Sequence, residues 1–202
     1  MKTPDFDQAR EYAISRLKNE LSPKLTYHRL EHTTDEVVPS ADRLASLEAV
    51  SDEDRLLLLT GAYYHDLGFI YQRQGHESYS IKLAEEILPT FGYTKDQLAV
   101  IRGIIQATRI PQSPTNLLGM IMADADLDYL GQESFWIRSN DLRKELENYW
   151  IKFEEKDWHA YQLHFIKAHQ YFTASERSLR DGIKRQHMVE IQKQFDKEPQ
   201  LK

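Results

Sequence analysis

The feature that most constrains the fold of this chain is a hydrophobic period of three to four residues that recurs along nearly its whole length. In residues 5–21, for example, apolar side chains keep this spacing until Ser22-Pro23 interrupts it. Such spacing places the apolar side chains on one face of an α-helix. No sustained alternation of apolar and polar residues, which would indicate a half-buried strand, is present. The pattern predicts an all-α bundle of about eight or nine helices.

Capping residues help to locate the individual helices. Ser51 precedes three acidic residues and an apolar run, and Thr94 lies three residues before Gln97, which is the spacing of a capping box. Together with the apolar period, these signals predict helices at residues 5–21, 32–47, 52–66, 77–91, 94–108, 117–129, 133–153, 157–169 and 174–195.

The composition is that of a globular protein. The chain has 202 residues, of which 41% are hydrophobic and 29% are charged, so it can bury a substantial core. We expect one domain over residues 1–202, with a motif-bearing core at about 27–130 and a helical C-terminal part at 131–196. The net charge of −6 argues against non-specific coating of nucleic acid, although a nucleotide substrate stays possible if a metal supplies positive charge locally.

The cellular location is expected to be the cytoplasm. There is no cysteine, so neither a disulfide framework nor a thiolate metal site can form. The N-terminal residues lack an apolar signal core, and no apolar run approaches the length that would span a membrane.

Histidine and aspartate occur in three of the predicted elements, next to apolar stretches. His65-Asp66 closes the apolar helix 52–66, His28 and His32 lie four residues apart upstream, and residues 123–126 place two aspartates in an apolar stretch. Buried carboxylates cost several kcal/mol unless they are neutralised. Imidazoles together with carboxylates are suitable ligands for a divalent metal ion. If the three elements meet, they form a mixed histidine and carboxylate metal site.

The order of these motifs resembles the HD superfamily of metal-dependent phosphohydrolases. The resemblance rests on Tyr-His-x-x-x-His-Thr at 27–33, His-Asp at 65–66 and Asp-Ala-Asp-Leu at 124–127, and it spans about residues 27–130. It implies one divalent ion (Mn, Mg, Co, Ni, Fe or Zn) and the ligands His32, His65, Asp66 and Asp126, with Asp124 as the alternative last ligand and Asp128 a less favoured one.

The number of metal ions is predicted from a departure from the family pattern. Some members have further histidine ligands where this chain has Ala107 and Thr108. The resemblance therefore favours a single ion over a two-metal site.

The resemblance also implies a reaction. It is hydrolysis of a phosphomonoester or phosphodiester, most commonly of a nucleotide, through a metal-activated water that Asp66 would orient or deprotonate. His28 matches a histidine that protonates the leaving oxygen in cyclic-nucleotide phosphodiesterases of the superfamily. The alternative for His28 is a histidine at a helix start that is bonded to a carboxylate such as Glu31.

Three more residues are candidates for contact with the substrate. His76 matches a position that other members use for a second metal or for phosphate, or else it only starts a helix. Arg73 and Arg109 lie in loops beside the motif helices and could clamp a phosphate, although loop arginines are often simply solvated.

Two other functions stay open at this point. One is a nucleotide-sensing or partner-binding domain with a structural metal, and the other is a di-iron oxygenase, against which Ala107 and Thr108 count. The expected partner is a small-molecule phosphate ester, with no membrane. The aromatic-rich segment 150–172 is expected either to pack on the core or to form the face of a homodimer.

Overall fold

The computed structural model describes residues 4–149 and 151–197, and every regular element within them is helical. In this part of the chain the prediction of an all-α bundle with eight or nine helices is confirmed. The nine α-helices are α1 (Phe6–Glu20), α2 (Val38–Leu47), α3 (Asp52–Tyr64), α4 (His76–Ile87), α5 (Lys95–Gln106), α6 (Leu117–Asp126), α7 (Phe135–Asn148), α8 (Glu155–Ala168) and α9 (Ala174–Lys197).

The predicted caps form as the sequence indicates. The Ser51 side chain accepts a hydrogen bond from the Asp54 amide at the start of α3. Thr94 and Gln97 form a complete capping box at the start of α5. These caps satisfy amides that have no partner within the helix, and so they fix where each helix begins.

Three predicted helices differ from the observed elements near the motifs. The predicted helix 32–47 begins with a π-helical turn at His32–Val37, in which the Val38 amide reaches the Thr33 carbonyl, one residue further back than in an α-helix. The predicted helix that runs to His65-Asp66 ends at Tyr64, and a short 3-10 turn follows at Leu67–Ile70. The predicted helix 117–129 ends at Asp126, and a 3-10 turn follows at Asp128–Gly131. Each change falls at or next to a residue that the resemblance implies as a ligand.

The main core lies between α1, α2, α3, α5 and α6, and α4 packs along one side. Helices α3 and α5 approach closely at Gly61, where an added Cβ would come within 2.5 Å of Ile104 Cγ2. Because α3 carries the His65-Asp66 pair at its end, this packing helps to fix the position of the pair.

A second core joins the C-terminal helices to the motif region. Buried residues of both parts form one cluster: Tyr27, Leu127, Tyr129, Leu130, Phe135, Leu163, Ile166, Tyr171 and Ile191. Much of the aromatic-rich segment thus packs on the core, whereas Trp150 lies outside the described residues. The described residues form one helical domain, and none of their helices combines the length and the apolar character that would be needed to cross a bilayer.

Candidate metal centre

The four side chains that the resemblance implies as ligands converge at one point. His32 lies at the start of the π-helical turn, His65 and Asp66 directly follow α3, and Asp126 is the last residue of α6. His32 Nε2 lies 3.2 Å from Asp126 Oδ1 and 3.8 Å from Asp66 Oδ2. His65 Nε2 lies 3.2 Å from Asp66 Oδ2 and 3.5 Å from Asp126 Oδ1. Two imidazoles and two carboxylates from three separate elements therefore share one small, buried space.

Hydrogen bonds to the other ring nitrogens orient both imidazoles. His32 Nδ1 lies 3.2 Å from Glu36 Oε2, one π-helical turn further along the chain. His65 Nδ1 lies 2.7 Å from the Ala62 carbonyl oxygen in the last turn of α3. Because a carbonyl can only accept, Nδ1 of His65 carries a proton, so loss of the other ring proton would present the Nε2 lone pair to a cation. This arrangement is typical of histidines that bind a metal through Nε2.

A third imidazole, that of His76, faces the cluster from the first residue of α4. Its Nε2 lies 3.4 Å from Asp66 Oδ1, and its Nδ1 lies 2.9 Å from the Arg73 carbonyl oxygen. Gly68 permits this approach, because a Cβ there would lie 1.9 Å from the His76 carbonyl oxygen. The Gly68 amide also donates to Ser80 Oγ at 2.8 Å, and Ser80 Oγ in turn donates to the His65 carbonyl.

The electrostatics of the metal-free cluster follow from burial and from the short distances. Burial lowers the pKa of His32, but the carboxylates of Asp126, Glu36 and Asp66 outweigh it and raise that pKa to about 9. The pKa of His65 is also raised well above its usual value, despite burial, by Asp66 and Asp126. Burial raises the pKa of Asp126, yet the two imidazoles lower it to about 2. Without a cation, protons on the imidazoles neutralise the carboxylates.

The donor atoms fit a divalent ion. His65 Nε2 and Asp66 Oδ2 are buried and have no hydrogen bond of good geometry, and such atoms are costly to leave unsatisfied. Donor atoms of His32, His65 and Asp66 lie within 4.8 Å of one another, a separation that a shared ion can bridge. Asp126 adds a second carboxylate on the same side of both imidazoles. Imidazole nitrogens combined with carboxylate oxygens suit transition metals such as Mn, Fe, Co, Ni and Zn.

The two alternative aspartates have other partners. Asp124 accepts hydrogen bonds from the amides of Phe172 and Thr173, at 2.7 and 2.8 Å, and from Thr173 Oγ1 at 2.7 Å. Asp128 is buried among Ser40, Arg43, Gln132 and Arg180. Of the three aspartates, only Asp126 lies at the imidazoles.

His28 is held by a residue that the sequence did not point to. Its Nδ1 donates to Glu145 Oε1 at 2.6 Å, and the amides of Tyr27 and His28 both donate to Glu145 Oε2 at 2.9 Å. Glu145 is fully buried in α7, and His28 lowers its pKa even though burial raises it. A carboxylate partner was one of the expected alternatives for His28, but Glu31 pairs instead with Arg29. A single glutamate 117 residues away leaves no local sequence signal.

A cavity of about 360 Å³ opens above Asp66 and Asp126. His28, His76 and Arg73 line it, and the Phe69 ring stacks on both imidazoles, with centroid distances of 4.1 Å to His28 and 3.9 Å to His76. The wall also includes Tyr27, Leu127, Tyr129, Leu142, Leu146, Tyr161 and Phe165.

The two candidate arginines occupy different places. The Arg73 guanidinium lies in the cavity wall, 4.7 Å from the centroid of the Tyr149 ring, and within the described ranges no carboxylate pairs with it. Arg109 is exposed and lines a separate depression between α4 and α5, with Glu85, Arg102 and Gln106. The structure therefore brings Arg73 to the cluster and leaves Arg109 away from it.

Comparison of this chain with protein-family models, with curated proteins and with solved structures found no match.

Proposed function

We propose that this protein is a metal-dependent phosphohydrolase of the HD type, which hydrolyses a phosphomonoester or phosphodiester. His32, His65, Asp66 and Asp126 would hold one divalent ion. The observation that carries the proposal is the convergence of these side chains beneath a cavity that Asp66 and Asp126 line, with two buried donor atoms that lack hydrogen bonds. A purely structural metal would be expected to lie in a closed site, whereas the two carboxylates of this candidate site line a cavity.

The residues around the cluster have distinct roles in this proposal. A divalent cation, when bound, acidifies a coordinated water and offsets negative charge on a phosphoryl group. Asp66 would orient the attacking water, because its Oδ1 faces the cavity side at His76 while Oδ2 faces His65. His28, fixed by Glu145, would supply a proton to the leaving oxygen. Arg73 would bind a phosphoryl oxygen, since no carboxylate of the described chain neutralises it.

The experiment that tests the proposal combines metal analysis with a phosphatase assay. We expect about one equivalent of metal by mass spectrometry, and turnover of p-nitrophenyl phosphate or bis-p-nitrophenyl phosphate with Mn, Mg, Co, Ni, Fe or Zn. Asp66→Asn should reduce turnover at least about 100-fold. Asp96→Asn makes the same change on the exposed first turn of α5 and should leave turnover unchanged.

Two results would contradict the proposal. Stoichiometric metal without turnover of any phosphate ester would indicate a sensing or partner-binding domain. Two equivalents of iron, with oxygen consumption, would indicate an oxygenase.

A further inference from the structure

Glu36 holds the candidate ligand His32 from outside the cluster. Its Oε2 lies 3.2 Å from His32 Nδ1, and both residues belong to the π-helical turn. Because a carboxylate can only accept, Nδ1 carries a proton, and Nε2 is left as the nitrogen that a cation would use. That nitrogen lies 3.2 Å from Asp126 Oδ1, on the side of the other candidate ligands. Glu36 therefore fixes which nitrogen of His32 faces the cluster.

A guanidinium on α7 holds Glu36 in turn. Arg138 Nε lies 2.9 Å from Glu36 Oε1, the carboxylate oxygen that is not engaged with His32. Nη1 of the same guanidinium donates to Asp141 Oδ2 at 2.9 Å, within α7. The planar guanidinium thus spans two carboxylates, which a lysine ammonium on a flexible stem does less well. Each oxygen of Glu36 has a partner of its own, and so the carboxylate has little freedom to turn.

The second guanidinium near Glu36 is a weaker partner. Arg29 Nη2 lies 3.6 Å from Glu36 Oε1, and Arg29 Nε lies 3.1 Å from Glu31 Oε2. The Arg29 side chain is 31% exposed, against 19% for Arg138. A shorter distance and a lower exposure both strengthen an ion pair. Arg138 is therefore the main cationic partner of Glu36.

Helix α7 reaches the site at several points along one face. Arg138 and Glu145 lie seven residues apart, so their side chains leave the helix on the same side. Glu145 holds the His28 imidazole, and Leu142 and Leu146, on the same face, line the cavity above the cluster. None of the four ligand candidates comes from α7. The helix therefore acts on the site through the side chains that it holds.

We infer that Glu36 and Arg138 are positioning residues for the metal, so that α7 helps to set the affinity of the cluster for a divalent ion. The inference rests on the part of the proposed function that places an ion at His32, and it does not depend on which ester is hydrolysed. Without Arg138, Glu36 Oε1 would lose its partner, and this carboxylate, 25% exposed, would turn to water. The His32 ring would then be held less firmly. Outer partners of this kind typically contribute about 10–100-fold to metal affinity.

Zn²⁺ affinity, measured on the full chain by competition with a chromophoric chelator, tests this inference without any assay of turnover. Glu36→Ala should weaken binding about 10–100-fold. Arg138→Met keeps the length of the side chain but removes the guanidinium, and it should weaken binding about tenfold. Arg138→Lys restores a cation without the planar fork, and it should return the affinity to within about threefold of the unchanged protein.

Arg143 provides a matched control on the same helix. Its side chain is 18% exposed, and its ion pairs join it to Glu147 at 3.2 Å and to Glu155 at 2.7 Å, within α7 and α8. Arg143→Met therefore removes a guanidinium of similar burial that does not act on Glu36. Its Zn²⁺ affinity should stay within about twofold of the unchanged protein.

A double variant separates positioning from a general effect on the fold. If Arg138 acts through Glu36, adding Arg138→Met to Glu36→Ala should change the affinity by less than about twofold. If Arg138 only supports the fold, the loss should be the same with and without Glu36. Urea unfolding of the metal-free variants, measured in parallel, shows that each one is folded under the conditions of the titration.

The possible results also separate this inference from the proposed function. Unchanged affinity in Arg138→Met or in Glu36→Ala, an equal loss in Arg143→Met, or additive losses in the double variant would overturn the inference. If the unchanged protein bound no Zn²⁺, both proposals would be refuted. The expected pattern of affinities without turnover of any ester would refute the hydrolase alone, and turnover with unaffected variants would refute the positioning role alone.

Discussion

The close approach of Gly68 to His76 predicts that even alanine at position 68 would lower the free energy of unfolding substantially. An added Cβ would lie 1.9 Å from the His76 carbonyl oxygen, whereas real Cβ contacts stay beyond 3.0 Å, so the backbone must open by about 1.1 Å. A carbonyl in the first turn of a helix cannot swing aside as a side chain can. We therefore expect Gly68→Ala to cost about 3 kcal/mol, the upper end of the usual range for overpacking.

The same displacement should weaken the metal site. His76 Nε2 lies 3.4 Å from Asp66 Oδ1, and functional sites tolerate displacements of only about 0.5 Å. Gly68→Ala should therefore also reduce metal affinity, which competition with a chromophoric chelator would measure.

Gly103 provides the matched control. It lies inside α5, and a Cβ there would meet nothing within 4 Å. Gly103→Ala should therefore stabilise the protein by about 0.5–1 kcal/mol, the ordinary benefit of alanine over glycine in a helix.

Urea unfolding of both variants measures the difference. In a chain of this length, a loss of about 3 kcal/mol corresponds to a melting temperature about 6–12 °C lower. If Gly68→Ala proved as stable as Gly103→Ala, the packing of the turn after α3 against α4 would be wrong as described.

Three further predictions concern the site. Asp124→Ala should cost about 3 kcal/mol, because the carboxylate accepts three hydrogen bonds from Phe172 and Thr173, yet it should keep the metal. Asp126→Ala should lose the metal and also destabilise the metal-free protein by about 2 kcal/mol, because it removes the carboxylate whose pKa the two imidazoles lower to about 2. Metal content after dialysis and urea unfolding check both. Because carboxylates hold the pKa of His32 at about 9 despite burial, metal must displace a proton below that pH, so this proton alone should make the affinity rise about 50-fold from pH 7 to pH 9. A flat pH profile would count against the cluster as the binding site. Glu145→Ala should cost about 2–4 kcal/mol by urea unfolding, since the backbone amides of Tyr27 and His28 lose their acceptor, and Glu145→Gln should recover most of this loss. Similar stabilities for the two variants would contradict this.

Local sequence was sufficient to predict most of the helices. The apolar period and the caps at Ser51 and Thr94 are set by neighbouring residues, so they could be predicted. The π-helical turn at His32–Val37 could not, because shifting hydrogen bonds by one residue leaves no mark on composition. That shift is settled by packing against α3 and α6, which the sequence does not display.

The sequence indicated the residue types of the candidate site better than it indicated which side chains contact one another there. Asp124 and Asp126 are both aspartates, two positions apart on one helix, so their side chains point about 200° apart around the helix axis. Which of them faces the imidazoles depends on the rotation of α6, and tertiary packing sets that rotation. The resemblance implies Asp126, and the Asp126 carboxylate lies 3.2 Å from His32 Nε2. Glu145 could not be found, because nothing local distinguishes it from the other acidic residues of α7.

The ligand candidates and the wall of a neighbouring cavity come from different parts of the chain, and this has a consequence for how such a protein can diversify. The four ligand candidates come from residues 32–126. A neighbouring cavity of about 400 Å³, beside the loop at Ile110–Gln112, is instead lined mostly by α8 and the residues that follow it. Exchange of α8 and the residues that follow it, with α7 and its Glu145 kept, would change the wall of this cavity and leave the four ligand candidates in place. A fragment that stops near residue 131 would retain every ligand candidate but lose Glu145, so it would be a poor substitute for the whole chain in any assay of selectivity or turnover.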